Sequence, residues 1–257
     1  MCLIKRYLKL VELAYYMENK VTSGSEVIDK LLNGGYEKDI INCVYGPAGC
    51  GKTLFCLLCC ISVAKSGKKV IYFDTEGGFS VERLEQLTED YKEVLSNIVF
   101  FRPISFEEQK KAFEKLKEVI NEKTGLIVVD TVSMLYRLKL GQTDDVYEVN
   151  RELGQQISFL GEIARKKGIL ILITNQVYSD FENKGNVKMV GGDILKYGAK
   201  CLIELKKLHS GKRVALLKKH RSIAEDEMVF YKIVNEGMAP VEDGKDIRCQ
   251  KPPIRDE

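Results

Sequence analysis

The sequence predicts an α/β fold in which a mostly parallel sheet carries helices on both faces. Strand and helix signals alternate from residue 40 to residue 174, as they do in proteins built from strand–helix–strand units. The apolar run Leu126-Ile127-Val128-Val129 is typical of a strand that is covered on both faces. The final third changes to strand signals joined by short turns, which predicts antiparallel strands that extend the same sheet.

Hydrophobic periodicity and turn residues predict the individual elements. A cap at Thr22-Ser23-Gly24-Ser25 opens a short helix, and Asn33-Gly34-Gly35 ends it. The predicted helices are Glu26–Leu32, Lys52–Ser66, Val81–Leu95, Phe106–Glu122 and Val146–Lys167. The predicted strands are Ile40–Tyr45, Lys69–Asp74, Ile98–Phe101, Leu126–Asp130, Ile169–Thr174, Lys200–Leu208, Lys212–Lys218 and Met228–Val234.

Residues 21–241 are predicted to form one domain, because no Pro/Gly/Ser-rich linker or internal repeat divides them. Residues 1–20 carry a wide apolar stripe at helical spacing and predict an amphipathic helix. This helix docks on its own domain or on a partner, unless Met17 is the true initiator. Residues 242–257 are polar, contain Pro252-Pro253 and are predicted to be a flexible tail.

Net charge does not decide whether the chain binds nucleic acid, whereas hydropathy argues against a membrane-spanning protein. The chain of 257 residues has a net charge of +3, which is too mild to indicate nucleic-acid binding by itself. From residue 206 to residue 221, however, there are seven Lys or Arg, two His and no acid, so this strip is either a binding surface or a solvated strand face. No segment reaches the ~20 apolar residues that span a bilayer, so we expect no membrane association.

The cysteines predict a location in the cell. Cys56 and Cys59 form a C-x-x-C pair, which in other contexts serves zinc or redox chemistry. Here they lie in the apolar run 54–61, which predicts a buried helix where free thiols act as small apolar side chains. Such thiols imply a reducing, cytoplasmic environment.

One motif indicates nucleotide chemistry. The segment 46–53 matches G-x-x-x-x-G-K-[ST] and lies between an apolar strand and a helix, the context this motif requires. Its backbone N–H groups and the helix N-terminus favour phosphate, while Lys52 neutralises β/γ-phosphate charge and the Thr53 hydroxyl ligates Mg²⁺. The sequence therefore predicts ATP and Mg²⁺ as cofactors, held by Gly46, Pro47, Ala48, Gly49, Cys50, Gly51, Lys52 and Thr53.

Polar side chains follow three further predicted strands. Asp130 is positioned to orient a hydrated Mg²⁺ ion, as the carboxylate paired with a P-loop does. Glu76 would border the γ-phosphate and could activate the attacking water, although it could also be only a favourable charge at a helix N-terminus. Gln176 places an amide where it would sense the γ-phosphate or a bound water.

Together these segments resemble the RecA/RadA recombinase core over about residues 21–240. The small size and the lack of an N-terminal DNA-binding helical domain resemble the archaeal RadB branch of that family. The matching segments are Thr22-Ser23-Gly24-Ser25, Leu31-Leu32-Asn33-Gly34-Gly35, the P-loop, Asp74-Thr75-Glu76-Gly77-Gly78-Phe79, Glu82-Arg83-Leu84, Val128-Val129-Asp130 and Ile173-Thr174-Asn175-Gln176-Val177.

The resemblance implies roles for single residues. Glu76 matches the catalytic glutamate, Gln176 the glutamine that senses the γ-phosphate, and Arg83 the arginine that stacks on adenine. Two DNA loops would span about 138–149, after Tyr136-Arg137, and 177–190. The implied DNA contacts are Arg137, Tyr178, Phe181, Lys184 and Lys188.

Lys219-His220-Arg221 resembles the K-x-R finger of KaiC-like ATPases and hexameric replicative helicases, whose cations reach a neighbouring subunit's nucleotide. The alternative is a basic strand end at the surface. Two departures weigh against strand exchange: the first loop carries Asp144 and Asp145 where recombinases carry arginine, and no F-x-x-A polymerisation peptide precedes the core.

The sequence thus predicts an ATP-binding, weakly hydrolysing DNA-binding accessory of homologous recombination. The implied partners are single-stranded DNA, the main RadA-type recombinase and a Holliday junction resolvase, with self-association left open. The alternatives are a KaiC-like signalling ATPase without DNA function, an active strand-exchange recombinase, and an interaction module that uses ATP structurally.

Overall fold

A computed structural model describes residues 19–179 and 187–241. Its helices are α1 (Glu26–Leu31), α2 (Lys52–Lys65), α3 (Val81–Leu87), α4 (Tyr91–Ser96), α5 (Phe106–Val119), α6 (Met134–Leu140), α7 (Val146–Lys167) and α8 (Gly192–Gly198). The strands of the first half are β1 (Lys20–Val21), β2 (Tyr36–Glu37), β3 (Ile41–Tyr45), β4 (Lys69–Asp74), β5 (Ile98–Phe101) and β6 (Thr124–Asp130). The second half adds β7 (Leu170–Asn175), β8 (Val177–Ser179), β9 (Val187–Met189), β10 (Cys201–Lys207), β11 (Lys212–Lys219), β12 (Met228–Val234) and β13 (Gly237–Pro240).

The main sheet contains nine strands within the described residues, in the order β13-β12-β11-β10-β3-β7-β6-β4-β5. The six strands from β10 to β5 are parallel, and β11, β12 and β13 continue the sheet with antiparallel pairing. This confirms the predicted α/β architecture. Because the strands are parallel, the carboxyl ends of β3, β4, β6 and β7 meet at one edge of the sheet.

Each central strand is buried on both faces. Along β6, Leu126 and Val128 face the cluster that packs under α1 to α4, while Ile127 and Val129 face the cluster under α5 to α8. The alternation follows from the two-residue period of a strand, so a continuous apolar run can bury both faces at once. The sequence run thus correctly predicted helices on both sides of the sheet.

The predicted helix over residues 81–95 is wrong as one element. Thr88 adopts an extended conformation (φ −160°, ψ 138°) and ends α3, and α4 begins after Asp90. The Thr88 hydroxyl accepts a hydrogen bond from the Asp90 backbone N–H at 3.3 Å, a local bond that competes with helix. Similarly, α5 ends at Val119 because Ile120 is extended (φ −66°, ψ 125°).

The N-terminus of α1 lies at the predicted cap segment. Ser25 occupies the cap position but makes no side-chain capping bond. Instead the carboxylate of Asp29, inside the helix, accepts the Ser23 backbone N–H at 2.8 Å and the Thr22 hydroxyl. The sequence predicted the cap segment, and the structure adds that Asp29 accepts its hydrogen bonds.

Several short elements gave no signal in the sequence: β1, β2, α6, β8, β9, α8 and β13. The predicted N-terminal helix (apart from its last two residues), Phe181, Lys184 and the tail 242–257 lie outside the described residues, and Lys20 belongs to β1. Cys56 and Cys59 are buried free thiols on α2, as predicted. The part of the chain that the structure describes has no cluster of His, Cys, Asp or Glu suited to a metal, and no helix there could cross a membrane.

Candidate nucleotide-binding and hydrolysis site

The P-loop connects the carboxyl end of β3 to the N-terminus of α2. Gly51 precedes the helix with φ +101°, a conformation that a side chain would strain, and a Cβ there would lie 2.8 Å from Ile233 Cδ1. A Cβ on Gly46 would lie 2.5 Å from the Leu205 carbonyl oxygen. The glycines are therefore required by close packing as well as by the turn, and the loop presents the unpaired N–H groups of the first turn of α2.

Lys52 is held within this loop. Its Nζ donates to the carbonyl oxygens of Gly46 at 2.9 Å and Pro47 at 3.2 Å. Burial lowers its pKa, while the charges of Glu76 and Asp130 oppose that shift. An ammonium group that is partly desolvated beside helix N–H donors suits a phosphate anion, which would supply the missing counter-charge.

Asp130 is a buried carboxylate with three hydroxyl donors. Oδ2 accepts Thr53 Oγ1 at 2.7 Å and Tyr72 OH at 3.0 Å, and Oδ1 accepts the Thr174 hydroxyl. Burial raises the Asp130 pKa, and the hydrogen bonds from Thr174, Thr53 and Tyr72 lower it. A threonine hydroxyl and a carboxylate are hard oxygen ligands, so this pair fits Mg²⁺ chemically. Thr53 and Asp130 would hold the ion, directly or through its water.

Glu76 and Gln176 are brought together by the ends of β4 and β7. Gln176 Nε2 and Thr131 Oγ1 each donate to Glu76 Oε1 at 2.7 Å. Over residues 19–179 and 187–241, no protein group bonds the other oxygen, Oε2. One oxygen is thus used for orientation, and the other is available to accept a proton from water.

Arg83 lies at the side of the P-loop. Its guanidinium donates to the carbonyl oxygens of Val234 at 2.7 Å and Asn235 at 3.0 Å, at the turn between β12 and β13. The same turn is adjacent to the loop, because Ile233 packs beside Gly51. The structure therefore positions Arg83 near the expected nucleotide, and its stacking on adenine stays a prediction.

Comparisons with known proteins agree with this fold. The Rad51 family profile matches residues 17–241. The chain belongs to the Rad51 family. Within it, the chain is 40% identical to a protein of Methanobrevibacter smithii over 88% of this chain and 98% of that protein, and 43% identical to one of Methanococcus maripaludis over 82% and 96%. Both are named DNA repair and recombination protein RadB.

A solved structure agrees with the sequence relatives. The crystal structure of the RadB recombinase superimposes with a TM-score of 0.75 at 36% identity, covering 86% of this chain and all of that one. The fold is therefore RecA-like, and the chain is a member of the RadB branch of the Rad51 family, as its motifs suggested.

Three of the residues expected to contact DNA belong to the described part of the chain, and each lies on a different element. Arg137 is exposed on α6, which extends to Leu140, so the first loop is only residues 141–145 and not 138–149. Tyr178 on β8 and Lys188 on β9 are directly opposed across an antiparallel pair. The Tyr178 side chain is 47% exposed.

Lys219 and Arg221 lie at the opposite edge of the sheet from the P-loop. Lys219 Nζ donates to the carbonyl oxygens of Lys196 at 2.7 Å and Ala199 at 2.8 Å. Arg221 pairs with the buried Glu37 at 2.5 Å and with Asp39 at 2.7 Å. Both cations are thus bonded to other groups of their own chain, and their role toward a neighbouring subunit stays a prediction.

Sequence reasoning missed two residues of the site. Tyr72 is buried within β4, and its hydroxyl donates to Asp130. In the sequence, an aromatic residue inside an apolar strand indicates only a core position. Thr131 follows Asp130 directly and bonds Glu76, so a hydroxyl beside a strand-end carboxylate was a usable signal.

Proposed function

We propose that this chain binds ATP with Mg²⁺, hydrolyses it weakly, and uses its nucleotide state to control its hold on DNA as an accessory to a main recombinase. The observation that carries the proposal is the hydrogen bond between Glu76 and Gln176. It joins the carboxylate suited to activate water with the residue that leads directly into β8.

The hydrolytic part follows from the geometry of the carboxylates. Bound ATP would supply the reactive phosphoryl group, and Mg²⁺ would neutralise its charge. Lys52 binds phosphate charge, and Glu76 Oε2 is available to accept the proton of an attacking water. Gln176 and Thr131 orient the Glu76 carboxylate by holding Oε1.

The coupling part follows from the position of Gln176 in the chain. Its backbone N–H donates to Ser133 Oγ at 3.2 Å, and its carbonyl accepts the Val190 N–H at 3.1 Å. Gln176 thus lies between Glu76 on one side and the β8–β9 pair on the other. A change in the nucleotide that alters the Gln176 side chain would shift the segment that carries Tyr178 and Lys188.

The biological part rests on family membership. The relatives are named DNA repair and recombination proteins, which supports a role in recombination and repair for this chain. A RadA-type recombinase and a Holliday junction resolvase are the partners that the resemblance suggests. The acidic Asp144 and Asp145 in the first loop support an accessory role over strand exchange.

The deciding experiment measures ATP turnover and light scattering together, with and without single-stranded DNA. Slow turnover that changes when DNA is added supports the proposal. The absence of turnover under every condition would favour a structural use of ATP, and turnover indifferent to DNA, without DNA binding at low salt, would favour a signalling ATPase. A D-loop assay separates the accessory role from strand exchange.

A further inference from the structure

The fold divides the basic strip between residues 206 and 221 into two ends. Lys219 and Arg221 lie at the edge of the sheet opposite the P-loop, whereas Lys207 ends β10. Strand β10 runs parallel to β3 with Glu204 opposite Tyr45, so both strands reach the same edge of the sheet together. The P-loop begins directly after Tyr45, and Lys207 therefore lies beside it.

The Lys207 ammonium group is against the P-loop itself. A Cβ on Gly49 would lie 2.9 Å from Lys207 Nζ, so the end of this side chain is close to the loop backbone. Burial raises the pKa of the adjacent Cys50 thiol. The positive charges of Lys52, Lys207 and Arg213 oppose that shift, so all three cations are near this position of the loop. Two cations from the β10–β11 pair thus approach the P-loop in addition to Lys52.

Lys207 is available to bind an anion. Within residues 19–179 and 187–241, its ammonium group makes no hydrogen bond or ion pair. Arg213 stands directly opposite Lys207 on β11, and like charges in opposed positions repel each other. The Arg213 guanidinium donates to the Gly211 carbonyl at 3.0 Å, and its Nε is buried. Repulsion therefore favours Lys207 Nζ against the P-loop, where an anion would stabilise both cations.

The acid nearest to Lys207 in the sequence, Glu204, does not supply this anion. Glu204 is buried and pairs with Lys206 at 3.3 Å. Because side chains alternate along a strand, Glu204 and Lys206 lie on the opposite face from Leu205 and Lys207. Leu205 packs in the cluster under α1 to α4. Lys207 therefore shares its face of the sheet with α2, the helix that the P-loop opens.

The order of the strands decides which phosphates Lys207 can meet. Glu76 and Gln176, which are expected to border the γ-phosphate, follow β4 and β7, and both strands lie on one side of β3. Strand β10 lies on the other side of β3. Lys207 therefore approaches the P-loop from the side opposite the γ-phosphate groups, toward phosphates that ATP and ADP share.

We propose that Lys207 is a second phosphate-binding cation of the nucleotide site, which contacts the phosphates common to ATP and ADP from the β10 side of the P-loop. The inference rests on the nucleotide-binding part of the proposed function and adds a residue that the P-loop motif does not include. Mg²⁺ and Lys52 leave part of the charge of a triphosphate uncompensated, and Lys207 supplies further positive charge. Lys207 is thus a determinant of affinity for both nucleotides.

The experiment compares the equilibrium binding of ATP and of ADP, each with Mg²⁺, to the full chain and its variants. Lys207→Ala should weaken the binding of both nucleotides by about 10-fold, as expected for the loss of a hydrogen bond between charged groups. The ratio of the two affinities should stay at its wild-type value. Lys207→Arg keeps the cation and should retain most of the affinity for both nucleotides.

The matched control is Lys212→Ala, which removes the same charge from the neighbouring strand. Lys212 directly precedes Arg213 on β11, so the alternation of side chains places it on the other face of the sheet. This variant should bind both nucleotides as the wild type does. Lys207 is exposed, so near-wild-type thermal unfolding should accompany the loss of affinity in Lys207→Ala.

The outcomes separate failure of this assignment from failure of the proposed function. Wild-type affinity in Lys207→Ala, or an equal loss in Lys212→Ala, would show that Lys207 does not contact the nucleotide, while ATP binding by the chain stands. A loss of affinity for ATP alone would overturn the assignment to the shared phosphates. Unchanged nucleotide binding with weaker binding of labelled oligothymidine would show that the cation serves nucleic acid instead. If the wild type binds neither nucleotide, this inference and the nucleotide-binding part of the proposed function both fail.

Discussion

Replacing Glu76 by Gln should abolish most ATP turnover without loss of ATP affinity. Thr131 and Gln176 both donate to Oε1, and the carbonyl oxygen of a glutamine can accept the same two bonds. The amide nitrogen would then take the position of Oε2, where it cannot accept a proton. General base catalysis contributes about 10²–10⁴ in rate, so the barrier should rise by about 2.7–5.4 kcal/mol.

The measurement combines phosphate release at saturating ATP with an equilibrium titration of ATP binding. Glu85→Gln is the matched control, because it removes one exposed carboxylate from α3 in the same region of the chain. A base at Glu76 predicts a normal rate in the control and a loss only in Glu76→Gln. Wild-type turnover in Glu76→Gln, or equal losses in both variants, would refute the assignment.

Three further variants test other parts of the site. Lys52→Ala should lose tight ATP binding in an equilibrium titration, since it removes the ammonium held inside the P-loop. Tyr72→Phe removes a hydrogen bond that lowers the pKa of Asp130, so the Asp130 pKa should rise in this variant. When the pH is lowered, Mg²⁺-dependent ATP binding should therefore be lost at a higher pH in Tyr72→Phe than in the wild type. Lys219→Ala/Arg221→Ala should bind ATP but hydrolyse it poorly, and mixing this variant with Glu76→Gln should restore activity. Turnover that is independent of protein concentration, with no rescue on mixing, would contradict a role in trans.

The part of the site that the sequence predicted is the part set by local rules. A glycine-rich segment between an apolar strand and a helix specifies its own loop, and Asp130 could be placed beside it because parallel strands end at a common edge. The Thr53–Asp130 hydrogen bond joins residues 77 positions apart and was implied by that topology.

The contacts that the sequence did not predict depend on tertiary packing. Arg83 reaches the backbone of Val234 and Asn235, about 150 positions later, and no periodicity encodes such a partner. The break between α3 and α4 depends on a single extended residue, Thr88. The apolar residues of the two helices nevertheless continue one helical spacing across it. Hydrophobic spacing measures which face is buried and is insensitive to one residue that leaves the helix.

Arg221 shows why a motif does not determine the availability of its side chains. The K-x-R pattern supplies cations of the kind that stabilise a transferred phosphoryl group, yet Glu37 and Asp39, far earlier in the chain, already bind this guanidinium. Glu37 is only 1% exposed, so withdrawing Arg221 would leave a buried carboxylate without its cation, at a cost of about 1.5–3 kcal/mol. A neighbouring subunit must offset that cost by its own contacts before Arg221 can act in trans. The trans role therefore requires an interface between subunits whose own contacts compensate for the release of Arg221 from Glu37 and Asp39.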